Sequence, residues 1–493
     1  MPFQPPPSRT KAALDSEKES SSSADNICVV QERPHMTWRS YVWDTLDKSK
    51  AERHFLFKLD IVVTPLSALA AFITALDQIN IHSAFVSGMR EDLGLYGKEL
   101  NYMMTAWTVG YIVGQIPSNV VLTRIRPSIW LPACQLIWSV LTFLLAKAHT
   151  PVHFYVLRFL IGLFESSCHP GILYLLGSWY RSDELGKRAA VHQAAGFIGQ
   201  MSSGYLMAAV HSSTGPEGRA GLKSWQWLFI VDGIISLPVA LAGFALLPDT
   251  PDRTRVFYLS TDELAMAQRR MELEGRTTAR APWTLAKAKR IVRSWHLWLP
   301  TAIMVLFYNG AAGAMQPTFA LWLKSEGYSV RDVNLFPTIT VAVGVISALV
   351  SAWVSDVACR GARWPAILVM TGISIVTYAV LAVGDGVAPE WKWACYIGMG
   401  LGGGIGPLAL AWAAEVTGDD NEERAIVVSA MSQFSLVVYS WLPILVWPVT
   451  DAPRYAKGFI TSLVMWVLLI GVVFWLRFMH KRELAGRKAV DRV

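Results

Sequence analysis

The feature that most constrains this chain is a series of a dozen apolar runs, each long enough to cross a lipid hydrocarbon layer. A helix rises about 1.5 Å per residue, so about 18 or more apolar residues bridge the roughly 30 Å core of a bilayer. Such runs are read at 61–77, 102–122, 129–145, 152–175, 191–210 and 228–247, and after a polar interval at 299–322, 336–354, 365–383, 395–413, 426–446 and 459–476. Composition agrees, because 493 residues that are 53% hydrophobic and only 16% charged carry more apolar surface than a water-soluble core can hide. The predicted fold class is an all-α membrane protein of twelve transmembrane helices in two six-helix bundles, at 58–247 and 297–477. A tail with an amphipathic lead-in helix precedes them at 1–57, a central loop joins them at 248–296, and a short tail follows at 478–493.

The central loop carries Arg269, Arg270, Arg276, Arg280, Lys287, Lys289, Arg290 and Arg293, and the C-terminal tail is also basic. The positive-inside rule places both in the cytoplasm, and an even number of spans puts the N-terminus there too. The shorter loops carry similar numbers of Lys and Arg on either side and do not orient the chain. A net charge of +7 is therefore a property of the cytoplasmic face. With no base-reading motif or basic groove interleaved with aromatics, it gives no reason to expect nucleic acid as a partner. Residues 1–36 are rich in Pro and Ser and lack the apolar core of a signal peptide, which predicts a disordered tail. Alternating aromatic and charged residues at 38–58 suggest an interfacial helix. The five cysteines have neither metal-site nor disulfide-framework spacing. No Walker-type phosphate loop is present, so uphill movement of a solute would draw on an ion gradient, with no cofactor.

Charge inside an apolar run is expensive and draws attention to itself. In the fourth span Arg158, Gly162, Glu165 and His169 fall on one stripe at 3.6 residues per turn. A charge near the bilayer centre costs several kcal/mol unless it is paired or hydrated, so this stripe reads either as a polar pathway or as a pair pinning neighbouring helices. Asp77, Gln78 and Asn80 form a second cluster at the end of the first span, where the aspartate could instead be solvated. His192, Gln193 and Gln200 in span five, Tyr308, Asn309 and Gln316 in span seven, and Ser432 and Gln433 in span eleven could orient a solute or bond helix to helix. The glycines at 398, 400, 402, 403, 404 and 406 permit close approach or bending of span ten. Asp232 in span six receives no role. The turns after spans two and eight echo each other, Arg124 and Arg126 in one, Asp356, Arg360 and Arg363 in the other. They are read as gating loops of a duplicated six-helix unit that rocks about a midplane site.

Several stretches together resemble a known family over 58–477: KLD at 58–60, LDQIN at 76–80, VSGMREDL at 86–93, QIPSN at 115–119, RFLIGLFE at 158–165, GSWY at 177–180, WQWLFIVDG at 225–233, LWLK at 321–324 and GDDNEER at 418–424. The chain resembles the major facilitator superfamily. More narrowly it is similar to the fungal branch of the anion:cation symporters, whose members include pantothenate, biotin, nicotinate and allantoate permeases, and its motifs are most like the pantothenate type. The resemblance implies that Arg158 is the arginine of the fourth-helix motif, and that Glu165 and Asp77 are the carboxylates of proton coupling. Many members have Arg where this chain has Gln78, which leaves Arg158 as the main counter-charge for an anion.

These readings converge on a secondary transporter, with proton-coupled symport of a small organic anion such as pantothenate as the expectation and export of a fungal secondary metabolite as the alternative. Arg158, Gln78, Asn80, His192, Tyr308, Asn309 and Gln433 are the expected substrate contacts, and Glu165 and Asp77 the expected proton carriers. Lipid, protons and the anion are the expected partners of a chain working as a monomer at the plasma membrane. The acidic run Asp419, Asp420, Glu422 and Glu423 raises a rival, a membrane enzyme using a divalent metal. A second acidic or phosphate-gripping cluster is not evident, and carboxylates at the start of span eleven also suit the positive end of a helix dipole.

Overall fold

The computed structural model of the protein describes residues 48–273 except 216 and 217, and residues 285–490 except 360 and 418–420. Two compact units divide after Leu56. The tail expected at 1–36 and residues 38–47 of the lead-in helix expected at 38–58 lie outside the described residues, as do Arg276, Arg280, Arg360, Asp419 and Asp420.

In the unit that begins at Phe57 the described residues of the apolar runs are helical apart from breaks in the fourth and seventh, and the described residues contain no strand, only one isolated bridge between Arg219 and Leu222. Spans one to six are Lys50–Ala84, Glu99–Arg124, Pro127–Leu145, a split fourth span (Pro151–Glu165 and Cys168–Trp179), Ser182–Thr214 and Ser224–Leu246. Spans seven to twelve are a broken seventh (Trp295–Gly310, Ala312–Met315, Thr318–Ser325), Pro337–Val357, Trp364–Val383, a broken tenth (Pro389–Gly398, Met399–Gly404, Ile405–Val416), Asn421–Val446 and Ala456–Val490. Among the described residues nine helices are long and apolar enough to cross a membrane by themselves. Spans two, five and seven fall outside that group because polar side chains or breaks dilute their apolar stretch. Several of those polar side chains are buried against other helices, among them Asn101 and Thr108 in span two, His192 and Ser203 in span five and Asn309 in span seven.

The structure corrects two boundaries and one residue's role that matter for the site. The first helix does not end near Asp77 but runs on to Ala84 and through a π-helical segment, Phe85–Met89. Gly88 in that segment has φ of +119°, which a residue with a Cβ adopts only under strain. The fourth span, read as continuous, breaks at Ser166 and Ser167, whose hydroxyls donate back to the Leu163 and Phe164 carbonyls at 2.7 and 2.8 Å. Glu165 is thus the last residue of its helix. Gly162, read as part of a polar stripe, is a packing position. A Cβ there would stand 2.2 Å from the Trp107 carbonyl oxygen, so only glycine lets spans two and four meet this closely. Gly162→Ala is expected to cost about 1–3 kcal/mol of stability. Gly372→Ala, where nothing lies within 4 Å of the added carbon, should change little. Thermal unfolding of the two variants in detergent checks the difference, and equal midpoints would contradict it.

The glycine-rich tenth span behaves as expected of close approach. A Cβ on Gly400 would lie 2.2 Å from the Thr340 carbonyl, and Ser347 Oγ donates to the Leu401 carbonyl at 2.5 Å. The basic central loop is less free than its composition suggested. Arg270 is buried and its Nη2 donates to Glu184 at 2.5 and 2.6 Å, while Lys58 pairs with Glu263 at 2.8 Å. The loop helix Thr261–Leu273 is therefore strapped to the six-helix half that precedes it. Of the acidic run, Glu423 receives His296 Nδ1 at 2.9 Å, and the other imidazole nitrogen meets Glu483 at 2.8 Å, tying together the ends of spans seven, eleven and twelve.

Contacts between the two halves gather on the side away from the central loop. Unwinding at Gly88 exposes main-chain and side-chain oxygens there, and the second half uses them. Lys324 Nζ donates to the Val86 carbonyl at 2.9 Å and to Glu91 at 2.7 Å, and Asn334 donates to Ser87 Oγ at 2.7 Å. Asn101 donates to the Trp447 carbonyl at 2.9 Å and accepts from the Val449 amide at 3.0 Å, and Thr105 donates to the Ser440 carbonyl at 2.7 Å. This arrangement is closed on the far side.

Candidate functional site

Four ionisable side chains from three helices meet inside the first half, all nearly inaccessible: Asp77 at 2% exposure, Arg158 at 1%, Glu165 and Asp232 at 0%. Each is held by a neighbour that the run of sequence around it does not reveal. Glu165 accepts from Trp107 Nε1 at 2.6 Å and from Gln78 Nε2 at 3.2 Å. Asp77 accepts from Thr142 Oγ1 at 3.1 Å. Arg158 donates through Nη1 to the Asp77 carbonyl at 3.3 Å, and its guanidinium carbon stands 5.8 Å from the Trp107 ring, while its Nε has no partner. Asn80 donates to Asp232 Oδ2 at 2.6 Å and accepts from Ser203 Oγ at 2.7 Å. Because the Ser203 proton is committed to Asn80, the 2.9 Å contact between Ser83 and Ser203 must run from Ser83.

Gln78 and Asn80 thus sit beside the carboxylates as expected, but their amides are already engaged with Glu165 and Asp232. His192 lies one helix away. The Ser67 carbonyl can only accept, so His192 Nδ1 carries the proton that bridges them at 2.9 Å, and the neutral ring presents Nε2 to His169 Nδ1 at 3.1 Å. His169 itself is exposed.

In the second half, Tyr308 packs edge-on to Tyr439 with ring centroids 5.2 Å apart, and Gln316 donates to the Tyr439 hydroxyl at 3.0 Å. Asn309 spends its amide on the Val305 and Ser435 carbonyls, at 3.0 and 3.3 Å, a helix-to-helix use. Gln433 meets Gln115 across the two halves. Tyr111 packs on Trp107, the Glu165 donor, with ring centroids 5.2 Å apart. Trp107, Tyr111 and Gln115 were missed, although their spacing of four along span two marks one helical face.

The turns read as gates are not equivalent. Arg363 donates to Glu415 at 2.8 Å and also meets Asp356 and Ser355. Burial opposes its charge, but Glu415 and Asp356 outweigh that and hold the guanidinium above its ordinary pKa. Arg124 and Arg126 are exposed. Arg360 lies outside the described residues.

The profile of the Major Facilitator Superfamily matches residues 67–445. The chain belongs to this superfamily. Among relatives, the MFS transporter PfmaC of Pestalotiopsis fici is 36% identical over 450 residues, covering 89% of this chain and 84% of the relative. The pantothenate transporter liz1 of Schizosaccharomyces pombe is 34% identical over 427 residues, covering 86% of this chain and 81% of the relative. These relatives bear out the likeness to the fungal pantothenate type. Among solved structures, a bacterial homologue of the human lysosomal transporter Spinster, inward-facing and occupied, matches with a TM-score of 0.63 at 12% identity, over 85% of this chain and 96% of that one. The fold is shared. The transporter is thus a multi-pass membrane protein built on the two-bundle plan, with its ionisable centre confined to one bundle.

Proposed function

We propose that this transporter couples the inward movement of protons to uptake of a small organic anion, pantothenate or a related carboxylate. One observation carries the reading. The buried guanidinium of Arg158 sits in one centre with the buried carboxyls of Asp77, Glu165 and Asp232, donates to the Asp77 main-chain carbonyl, and has its Nε uncommitted. An arginine keeps its charge at any accessible pH, whereas a carboxyl can take up and release a proton. When Glu165 and Asp77 are protonated, Arg158 loses two of the three internal counter-charges and can take an incoming carboxylate as a partner. When the anion leaves, the guanidinium favours the ionised carboxyls and a proton is released. Binding of anion and proton thereby support each other, which is the reciprocity that coupling requires. The name of the pantothenate relative supports the substrate class, and Tyr308, Gln433 and His192 are the neutral groups proposed to orient the rest of the solute.

Uptake of labelled organic acids into vesicles under an imposed pH gradient, with efflux measured in the same preparation, tests this reading. Accumulation of pantothenate or a close carboxylate that vanishes when the gradient is collapsed is expected. Gradient-driven efflux without uptake would replace it with export.

The proposed orientation has both termini and the 248–296 loop in the cytoplasm, with the chain acting as a monomer at the plasma membrane. The closed face would then be the outer one. Protease-cleavable tags inserted between residues 274 and 284 and after Val493 are expected to be cut only once the membrane is permeabilised. Cleavage of either from outside intact cells would reverse the topology.

A further inference from the structure

Asp232 is the ionisable group of the centre with no part in the reading so far. It comes from span six, is fully buried, and has one oxygen committed to Asn80 at 2.6 Å. Its other oxygen, Oδ1, is buried without a hydrogen-bond donor. Asp77 stands three positions before Asn80 on the same face of span one, which sets its buried carboxyl beside the one that Asn80 grips. Two ionised carboxylates do not hold such an approach away from water, since like charges that close cannot both persist. One proton between them turns repulsion into a hydrogen bond and supplies the donor that Oδ1 lacks.

The surroundings agree. Span four brings Glu165 to Gln78 and Arg158 to the Asp77 carbonyl, so both stand against the part of span one that carries Asp77 and Asn80. Spans three and five bring only the hydroxyls of Thr142 and Ser203 to this network, and His82, also on span one, sits in the field of Arg158. Three carboxyls therefore share one cation in a region where an uncompensated charge costs several kcal/mol. Glu165 cannot by itself carry every proton this balance demands.

We propose that Asp77 and Asp232 share a proton as a carboxyl pair, and that Asp232, through this pair, sets the pH range over which the transporter binds its coupling proton. The inference rests on the symport reading. It adds a residue from span six to a coupling centre otherwise drawn from spans one and four.

A pair of carboxyls binds its first proton more tightly than either would alone, because the second charge opposes ionisation. Asp232→Asn removes that opposition and offers Asp77 an amide donor, so Asp77 should hold its proton less tightly. The pH profile of uptake is expected to move at least one unit toward acid, with about tenfold less uptake at neutral pH and recovery at lower pH. Asp232→Glu should restore much of the original profile.

A second measurement does not depend on transport. In purified, substrate-free protein, the infrared carbonyl band of a protonated carboxyl should be lost in Asp232→Asn and in Asp77→Asn and persist in Glu165→Gln. A band unchanged in Asp232→Asn, or an uptake profile superimposable on that of the parent, overturns the pair while leaving symport intact. Uptake in the parent that ignores pH altogether would instead strike the symport reading, and the infrared comparison would still decide whether the pair exists. Should Asp232→Asn fail to fold, Asp77→Asn carries the same infrared test from the other side.

Discussion

Glu165→Gln is expected to abolish accumulation of the solute against its gradient while exchange of labelled for unlabelled solute continues. The glutamine has the shape of the protonated acid and can still accept from Trp107, which donates at 2.6 Å in the parent. The substituted side chain cannot release a proton, so the step that ties solute movement to the pH gradient has nothing to transfer. Each coupled proton is worth about a tenfold accumulation per pH unit of gradient, and loss of that coupling should bring the accumulation ratio close to one. Counterflow and pH-jump uptake in the same vesicles separate the two activities. Concentrative uptake in Glu165→Gln with an unchanged pH response would show that the proton travels elsewhere.

Arg158→Lys should fail in the opposite way, with weakened binding that excess protons do not rescue. Lysine keeps the positive charge but presents a rotating point charge in place of the planar fork that grips a carboxylate through two parallel bonds. It also gives up the reach to the Asp77 carbonyl, held at 3.3 Å by Nη1, and the packing over Trp107. Loss of one charge-assisted hydrogen bond is worth about 1.5–3 kcal/mol, so the apparent affinity for the anion should fall about 10- to 100-fold. Substrate saturation curves at a fixed acidic pH check this, with protein abundance monitored alongside. An affinity within twofold of the parent would remove Arg158 from the role of counter-ion.

The contrast between the two variants follows from where each side chain spends its bonds. Glu165 is held by two neutral donors, Trp107 and Gln78, so no cation locks its charge. A cation at position 78 would give the same carboxylate a permanent partner. With glutamine there, Arg158 is the cation of the centre, and the proposed carboxyl protonation and anion binding both converge on it.

Much of this molecule was legible before any coordinates. Length and apolarity are local properties, so the dozen spans, the division at the central loop and the superfamily resemblance could be read from the chain alone. Arg158 and Glu165 stood out for the same reason, because a charge within an apolar run is visible wherever it later points. What the run of residues could not show was which side chains from different helices would meet. Position alone left Asp77 open to solvation at a helix end, yet span one continues past it and Thr142 covers it from span three. Asp232 carried no assigned role until folding brought it against a carboxyl 155 positions earlier in the chain. Trp107 reaches Glu165 only because Gly162 admits span two to within contact of span four. Helical periodicity states which residues share a face, but the partner of that face is chosen by close packing between helices. That choice depends on the size of a glycine or the turn of a broken helix far away in the sequence, and it belongs to the tertiary structure alone.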